Sequence, residues 1–406
     1  MKKVMILMSA YTGHGHKSIT DSLVEQFAAY PDVEVEVVEG FALIGRAAIN
    51  SAKMYGPVTR NAHDLWKFTY LMSQQTSSVI ADLLGTMIHD RLMKKLMFFH
   101  PDLIVCVHSL FIGSVLNVLE QYHLPIPQVT LQADIVNIHP SWCDERNYMT
   151  LCPTDEALEA SLKLGMPREK LRRCGFPSRA RFCEAARKHE RRPYDGNRPL
   201  NCLLMSGGEG SGNLRRYAVE MLNHFTCNVT IICGRNERMK AMLEDTMVPK
   251  YGGRVRILGF CDNVQDYMLE SDLMIARGSP NTLFEAIVCN VPVMITGALP
   301  GQEANNPQLM MEHGLGVVCK SPEQVAPMVS SLITHNGARL NQIAEAQRAY
   351  RNLDSAKEIV EYLYSVPNPE EYTIPQFKLK FPLRVHAKYA LRVARKPFNQ
   401  LLRPKK

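Results

Sequence analysis

"VMILMSAYTGHGHKS", residues 4–18, decides the fold. The apolar run Val4–Met8 ends at two glycines and two histidines, placed where a strand would turn into a helix. That order opens a βα unit, and the chain repeats it in two series. In the first, Val4–Met8, Val33–Val38, Leu103–His108 and Gln128–Gln132 read as strands separated by helical stretches. The second begins at "NCLLMSGGEGSG" and continues through "NVTIICG", "RVRILG", "DLMIARGS", "VPVMITG" and "LGVVC". Between them lies a charged segment with Pro and Gly, "EAARKHERRPYDGNRP" (184–199).

The expected fold is therefore α/β, with two doubly wound, mostly parallel sheets facing a cleft at the carboxyl ends of their strands. The divisions are 1–183, a linker at 184–199, 200–335, a helical segment at 336–376 and a tail at 377–406. Helices are expected at about Pro322–Thr334 and Ala338–Tyr364.

With 406 residues, 46% hydrophobic and 21% charged, the chain can build two ordinary globular cores. The eleven cysteines include no CxxC pair, which suits reduced core thiols. "MKKVMILMSA" has too short an apolar core for a signal peptide before its glycine turn, and no apolar run reaches about 18 residues. A cytoplasmic protein that does not cross a membrane is expected.

The net charge of +7 resides in the tail, since Phe377–Lys406 holds ten Lys/Arg and no Asp/Glu. If Leu383–Arg395 is helical, Val385, Tyr389 and Val393 share one stripe opposite Arg384, Lys388, Arg392 and Arg395. That pattern suits an anionic bilayer surface. A solvated tail packed on the body and a nucleic-acid contact stay open as readings, although nucleic acid is not expected as a partner.

The loop "MSGGEGSGNL" (205–214) stands between strand and helix, where amides can seat a phosphate or simply form a tight turn. No Gly-Lys-Ser/Thr follows it, and "TGHGHKS" offers Ser18 where GxGxxG needs glycine. More informative is "ARGSPNTLFEAIVCNVPVMITGALPGQEANN" (276–306). A helix starting near Asn281 could hold pyrophosphate with Ser279 and Thr282, while Glu285, one turn inside, could accept from ribose hydroxyls. Gln302, Glu303 and Asn306 could read sugar hydroxyls. The segment 41–72 is apolar, aromatic and basic, and either lies on a bilayer or forms a helical pair covering the sheet.

"GHGHKS", "DIVNIHPSWCD" (134–144), "GFPSRARF" (175–182), "MSGGEGSG", "GSPNTLFEA" and "PGQEANN" occur in order over about residues 4–318. In these the chain resembles the monogalactosyldiacylglycerol synthases and processive diacylglycerol glucosyltransferases of glycosyltransferase family 28. These enzymes are related to the lipid II-forming N-acetylglucosaminyltransferases. The resemblance implies a GT-B fold with acceptor binding in the N-terminal domain and nucleotide-sugar binding in the C-terminal one. His16 matches the histidine of GxGH, Glu285 the ribose-binding carboxylate, and Gln302, Glu303 and Asn306 the donor-sugar loop. Phe260 falls where backbone contacts uracil. Gly208, Gly210, Gly212, Arg235, Ser279, Asn281 and Thr282 join the donor-binding set, and Gly15, Asp134, His139 and Trp142 the acceptor side. Ser279 and Asn281 replace glycines of a G-P-G-T turn, and Asn305 replaces the glycine of GQExGN.

The expected activity is an inverting transfer of a hexose from a UDP-sugar to diacylglycerol at the inner face of the cell membrane. His16 serves as base, kept neutral by the positive end of its helix. Neither a cofactor nor a metal is expected, and the chain holds no Asp-x-Asp pair. Alternatives are the same chemistry on a polyprenyl-linked or other lipid, a non-catalytic UDP-sugar-binding regulator, or a UDP-sugar epimerase.

Overall fold

The computed structural model describes residues 1–12, 15–53, 56, 59, 62–205 and 213–375. Two six-stranded parallel sheets form the body. In the first, β1 (Lys2–Met8), β2 (Val33–Glu39), β3 (Leu103–Cys106), β4 (Gln128–Leu131), β5 (Met149–Cys152) and β6 (Leu171–Arg173) are ordered β2-β1-β3-β4-β5-β6. In the second, β7 (Leu200–Met205), β8 (Cys227–Ile232), β9 (Val255–Leu258), β10 (Leu273–Ala276), β11 (Val293–Ile295) and β12 (Gly316–Val318) are ordered β12-β11-β10-β7-β8-β9. This is the doubly wound α/β architecture expected from the sequence.

Helices cover both faces of a parallel sheet, so its central strands read as continuous apolar runs. Val4, Met5, Ile6 and Leu7 of β1 are wholly buried. Each such side chain contributes roughly 1.5–3 kcal/mol by leaving water. The order of each sheet reverses beside its first strand. Carboxyl-end loops diverge there and leave a crevice.

The two domains are tied together at several levels. The linker is clipped to the second domain by Arg198, whose guanidinium spans both oxygens of buried Asp272 at 2.6 Å each. The rings of Phe176 and Phe284 stack across the interface, centroids 4.6 Å apart. After the second sheet, the helix Val325–Tyr350 is interrupted at Thr334–Gly337, where His335, Asn336 and Gly337 take positive φ. A side chain at Gly337 would also meet the Tyr194 carbonyl at 2.8 Å, so glycine is required there twice over. The interruption coincides with the expected helix boundary.

The following helix, Ser355–Ser365, returns to the first domain. There the Lys2 ammonium donates to the carbonyls of Tyr364, at 2.9 Å, and Val366. The Tyr372 hydroxyl donates to the Pro101 carbonyl at 2.7 Å. Residues assigned to a separate helical segment thus brace the N-terminal domain.

Apart from Gly45, Ala62 and Thr76, the described residues of segment 40–99 are helical. Ile88, Leu92, Met93 and Leu96 of the helix Ser77–Phe99 pack into the core, while Leu83 and Met87 face outward. Within the insertion 41–72 itself, Leu43, Ala52 and Tyr70 are buried, while Phe68, Leu71 and Met72 are exposed. All eleven cysteines are unpaired. Among the described residues no helix is long and apolar enough to cross a membrane. The tail 377–406, with its expected amphipathic helix, lies outside the described residues.

Candidate active site

His16 is the second residue of the helix Gly15–Phe27, which begins just beyond β1. Its ring is buried, and Nδ1 stands 2.6 Å from the Val107 carbonyl at the end of β3. A carbonyl can only accept, so Nδ1 carries the proton and Nε2 holds the free lone pair. Burial is the main reason its pKa falls to about 4, against a smaller upward pull from the Val107 carbonyl. Desolvation thus favours the neutral imidazole expected from the sequence.

A second histidine backs the first. The His108 ring lies 4.5 Å from that of His16, centroid to centroid. Its Nδ1 accepts from the Leu110 amide at 3.3 Å, which leaves Nε2–H to donate to Thr12 Oγ1 at 2.9 Å. Burial, reinforced by His16, pushes its pKa well below the ordinary value. Both rings are thus held neutral in defined tautomers.

His16 opens onto a cleft of about 660 Å³ between the domains. Two helix N-termini meet across it, those of Gly15–Phe27 and Pro280–Val288. Gly15 approaches so closely that a Cβ there would stand 2.8 Å from Asn281 Nδ2. Lys17, Lys53, Arg179, Arg181, Arg235 and Arg277 also line the cleft, against the carboxylates Asp21, Asp134, Glu285 and Glu303. Cations in excess and two converging helix N-termini give this cleft the chemistry of an anion site.

Most of the expected donor set is assembled here. Arg235, Phe260, Ser279, Asn281, Thr282, Glu285, Gln302 and Glu303 all line the cleft. The Ser279 hydroxyl donates to Thr282 Oγ1 at 2.9 Å. The half-exposed ring of Phe260 stacks under the Arg235 guanidinium at 4.4 Å, forming a flat apolar edge on the rim. Glu285 is buried and pairs with Arg179 of the other domain at 2.8 Å. Its burial raises the carboxyl pKa, and Arg179 opposes the rise. Glu303 Oε2 accepts from the Leu299 amide at 2.9 Å, and burial pushes its carboxyl up to about 7. Asn306 is placed otherwise: its side chain is buried and donates to the Gly278 carbonyl at 2.9 Å, bracing the turn before the 280–288 helix. Gly208, Gly210 and Gly212 lie outside the described residues, as do Gly13 and His14.

On the acceptor side, Gly15 and Asp134 line the cleft. Asp134 accepts from Trp142 Nε1 at 2.6 Å and from Gln302 Nε2 at 2.9 Å, the second bond crossing between domains. Burial pushes its carboxyl up to about 6. Trp142 is buried beneath the lining, its ring 6.3 Å from that of His16. His139 belongs elsewhere. It caps the short turn Pro140–Trp142, and its ring nitrogens are engaged by Ser141 and by the Ser73 hydroxyl at 3.0 Å. It borders a separate cavity of about 610 Å³ between the helices Ser77–Phe99 and Ser109–Gln121.

His108, Arg179, Arg181, Arg277 and Asn137 were not singled out from the sequence. Arg179 and Arg181 stand within "GFPSRARF", and Asn137 within "DIVNIHPSWCD", so those two segments held the signal. His108 follows an apolar strand without any motif. Among the described residues no group of three or more His, Cys, Asp and Glu is arranged to hold a metal ion.

Comparison with known proteins agrees with this geometry. Residues 16–177 match the family model for monogalactosyldiacylglycerol synthase, and residues 202–360 match the C-terminal domain of glycosyltransferase family 28. A probable chloroplastic monogalactosyldiacylglycerol synthase of Glycine max is 27% identical over 398 residues, covering 93% of this chain and 73% of its own. Monogalactosyldiacylglycerol synthase 1 of Arabidopsis thaliana is 27% identical over 401 residues, covering 90% and 72%. Among solved structures, MurG of Acinetobacter baumannii superposes with a TM-score of 0.58 at 14% identity, over 90% of this chain and 99% of that one. A UDP-GlcNAc 2-epimerase from Neisseria meningitidis, bound to UDP-GlcNAc, gives 0.58 at 13% identity, over 90% and 100%. These two likenesses show the shared GT-B fold. One match thus lies on each side of the cleft: the N-terminal domain matches the monogalactosyldiacylglycerol synthase family and the C-terminal domain matches glycosyltransferase family 28.

Proposed function

We propose that this glycosyltransferase moves a hexose from a UDP-sugar to the hydroxyl of a diacylglycerol at a membrane surface, with inversion. The observation that carries the reading is His16, a buried neutral imidazole opening onto a cleft where two helix N-termini converge. Nε2 takes the acceptor hydroxyl proton as that oxygen bonds to the anomeric carbon, on the face opposite the nucleotide. The bond from that carbon to the diphosphate oxygen breaks, and UDP leaves with the electron pair. One displacement converts an α-linked donor into a β-glycoside.

The developing charge on UDP is met by amides at Asn281 and by cleft arginines, already oriented before reaction. No step is assigned to a metal or to a cofactor. Glu285 accepts from the ribose hydroxyls, and Gln302 and Glu303 read the sugar. The acceptor assignment draws on the relatives, which are named for synthesis of a galactosyl diacylglycerol. It is also supported by the outer face of the N-terminal helices. There Phe68, Leu71, Met72, Val79, Leu83 and Met87 are exposed, with Lys67 and Lys94 on the same two helices. Such a face suits the surface of an anionic bilayer.

The test is UDP release from UDP-glucose, UDP-galactose, UDP-N-acetylglucosamine and UDP-glucuronate, with and without diacylglycerol vesicles, with lipid products resolved by mass spectrometry. Release with one donor only when vesicles are present, together with the matching glycolipid, is the expected result. Intact donors despite measurable UDP binding would overturn the acceptor assignment. His16→Ala is expected to lower kcat by about 10²–10⁴ while leaving UDP affinity unchanged. Retained turnover would remove His16 as base.

A further inference from the structure

The turn 301–306 enters the cleft from the second domain, yet what holds it belongs largely to the first. Asp134 accepts from Gln302 Nε2, and Asn137 Oδ1 accepts from the Asn305 amide at 2.9 Å. The third contact is a ring. Tyr70, on the helix His63–Gln75, is 8% exposed and lies against the backbone of Gly301. A Cβ at Gly301 would stand 2.7 Å from Tyr70 Cδ1 and 3.1 Å from Cγ, and the residue has φ +84°. Gly301 is thus glycine for its conformation and for the ring pressed on it.

We infer that Tyr70 is a positioning residue for the sugar end of the donor, holding the turn 301–306 where Gln302 and Glu303 can reach the hexose. The inference rests on the proposed assignment of that turn to the donor sugar. Tyr70 lies outside every motif that carries the family resemblance. The ring is fixed from behind by the edge of His139, centroids 5.2 Å apart; its hydroxyl reaches the Asn137 carbonyl at 3.5 Å and bonds to Gln74, whereas the Tyr70 atoms pressed on Gly301 are all ring carbons. The flat face, rather than the hydroxyl, therefore does the positioning. Phe68, Leu71 and Met72 of the same helix point to solvent, so one helix presents its outer face to a lipid surface and its inner ring to the donor turn.

Glu285, the helix end at Asn281 and the arginines bind the nucleotide, whereas the turn 301–306 meets only the sugar. Loss of Tyr70 should therefore separate the two affinities. Calorimetry on the full chain, without lipid, compares UDP with the UDP-hexose that the wild type binds most tightly. Tyr70→Ala and Tyr70→Leu are expected to weaken the UDP-hexose on the order of tenfold and UDP less than twofold, because the turn that meets the hexose is no longer held in its binding position. Tyr70→Phe keeps the ring and should match the wild type. Gly301→Ala, which disturbs the same contact from the other side, should reproduce the tenfold loss. An unchanged ratio of affinities in Tyr70→Leu, a parallel loss of both ligands, or Tyr70→Phe failing like Tyr70→Ala would each overturn the inference. A wild type that binds UDP-hexose but transfers nothing to diacylglycerol overturns the acceptor assignment alone. A wild type that binds UDP but not UDP-hexose overturns both.

Discussion

Acidification from pH 7 to pH 5 should destabilise this protein through its buried histidines, and His16 carries a measurable share. In the unfolded chain a histidine titrates near 6.5, whereas burial holds His16 neutral down to about 4. Between those values the unfolded state binds a proton that the folded state refuses. Stability is therefore intact above about 6.5, falls as the pH drops toward 4, and levels off below. At pH 5 one such group costs about 2 kcal/mol. His139, also brought to about 4 by burial, adds a similar amount, and His108 acts in the same direction. His16→Asn removes one titrating group and keeps an amide that can donate to the Val107 carbonyl. Thermal melts of the wild type and the variant, each at pH 7 and pH 5, isolate its share. Any packing cost of the substitution is common to both pH values and cancels. The wild type should lose more than the variant by about 2 kcal/mol, or roughly 4–8 °C for a unit of 150–250 residues. Equal losses would mean that His16 takes up its proton near 6.5, which would refute the desolvated base.

Two further outcomes test the donor and membrane assignments. Glu285→Ala should raise the donor KM roughly 10- to 100-fold, the worth of hydrogen bonds to a charged acceptor, with kcat changed far less; a normal donor KM would remove the ribose role. Deleting Phe377–Lys406 should reduce co-sedimentation with anionic vesicles at low salt, because about 1 kcal/mol accompanies each cation near such a surface. Equal sedimentation before and after deletion would refute the tail as an anchor.

The fold was legible because parallel strands buried on both faces are written as apolar runs, as in Val4–Met8 and Leu200–Met205. β5 and β6 were missed for the converse reason. They span four and three residues, and Arg172 and Arg173 interrupt the pattern of β6. Within the site, Asn281, Thr282 and Glu285 were legible because one helix N-terminus presents them together in sequence. His108 and Arg179 were not, since each arrives from a different βα unit and meets its partner only in space. His139 does not line the cleft between the domains but borders the separate cavity beside the helices Ser77–Phe99 and Ser109–Gln121. The motif around His139 reads as acceptor lining, yet two serines and the turn that it caps engage its ring. Tyr70 lies in the aromatic segment 41–72 but in no motif, because its contact exists only where the 63–75 helix crosses Gly301.

The burial that makes His16 available as a base also limits it. An imidazole brought to about 4 is neutral at pH 7 but a weak proton acceptor, and general-base catalysis is best served by a pKa near the working pH. In the proposed reaction the donor corrects this. A diphosphate brings negative charge to the meeting point of the two helix ends, close to His16, and nearby negative charge favours the imidazolium. The base therefore strengthens as the cleft fills. As the structure stands, burial keeps His16 neutral at neutral pH; in the proposed reaction the bound diphosphate is what raises it toward its useful range. Arg179–Glu285, Gln302–Asp134 and Asn305–Asn137 all bridge the same domains. Under the proposed reaction, donor binding and activation of the base thus draw on side chains that also join the two domains, so the electrostatic state suited to transfer is expected only when the nucleotide is in place.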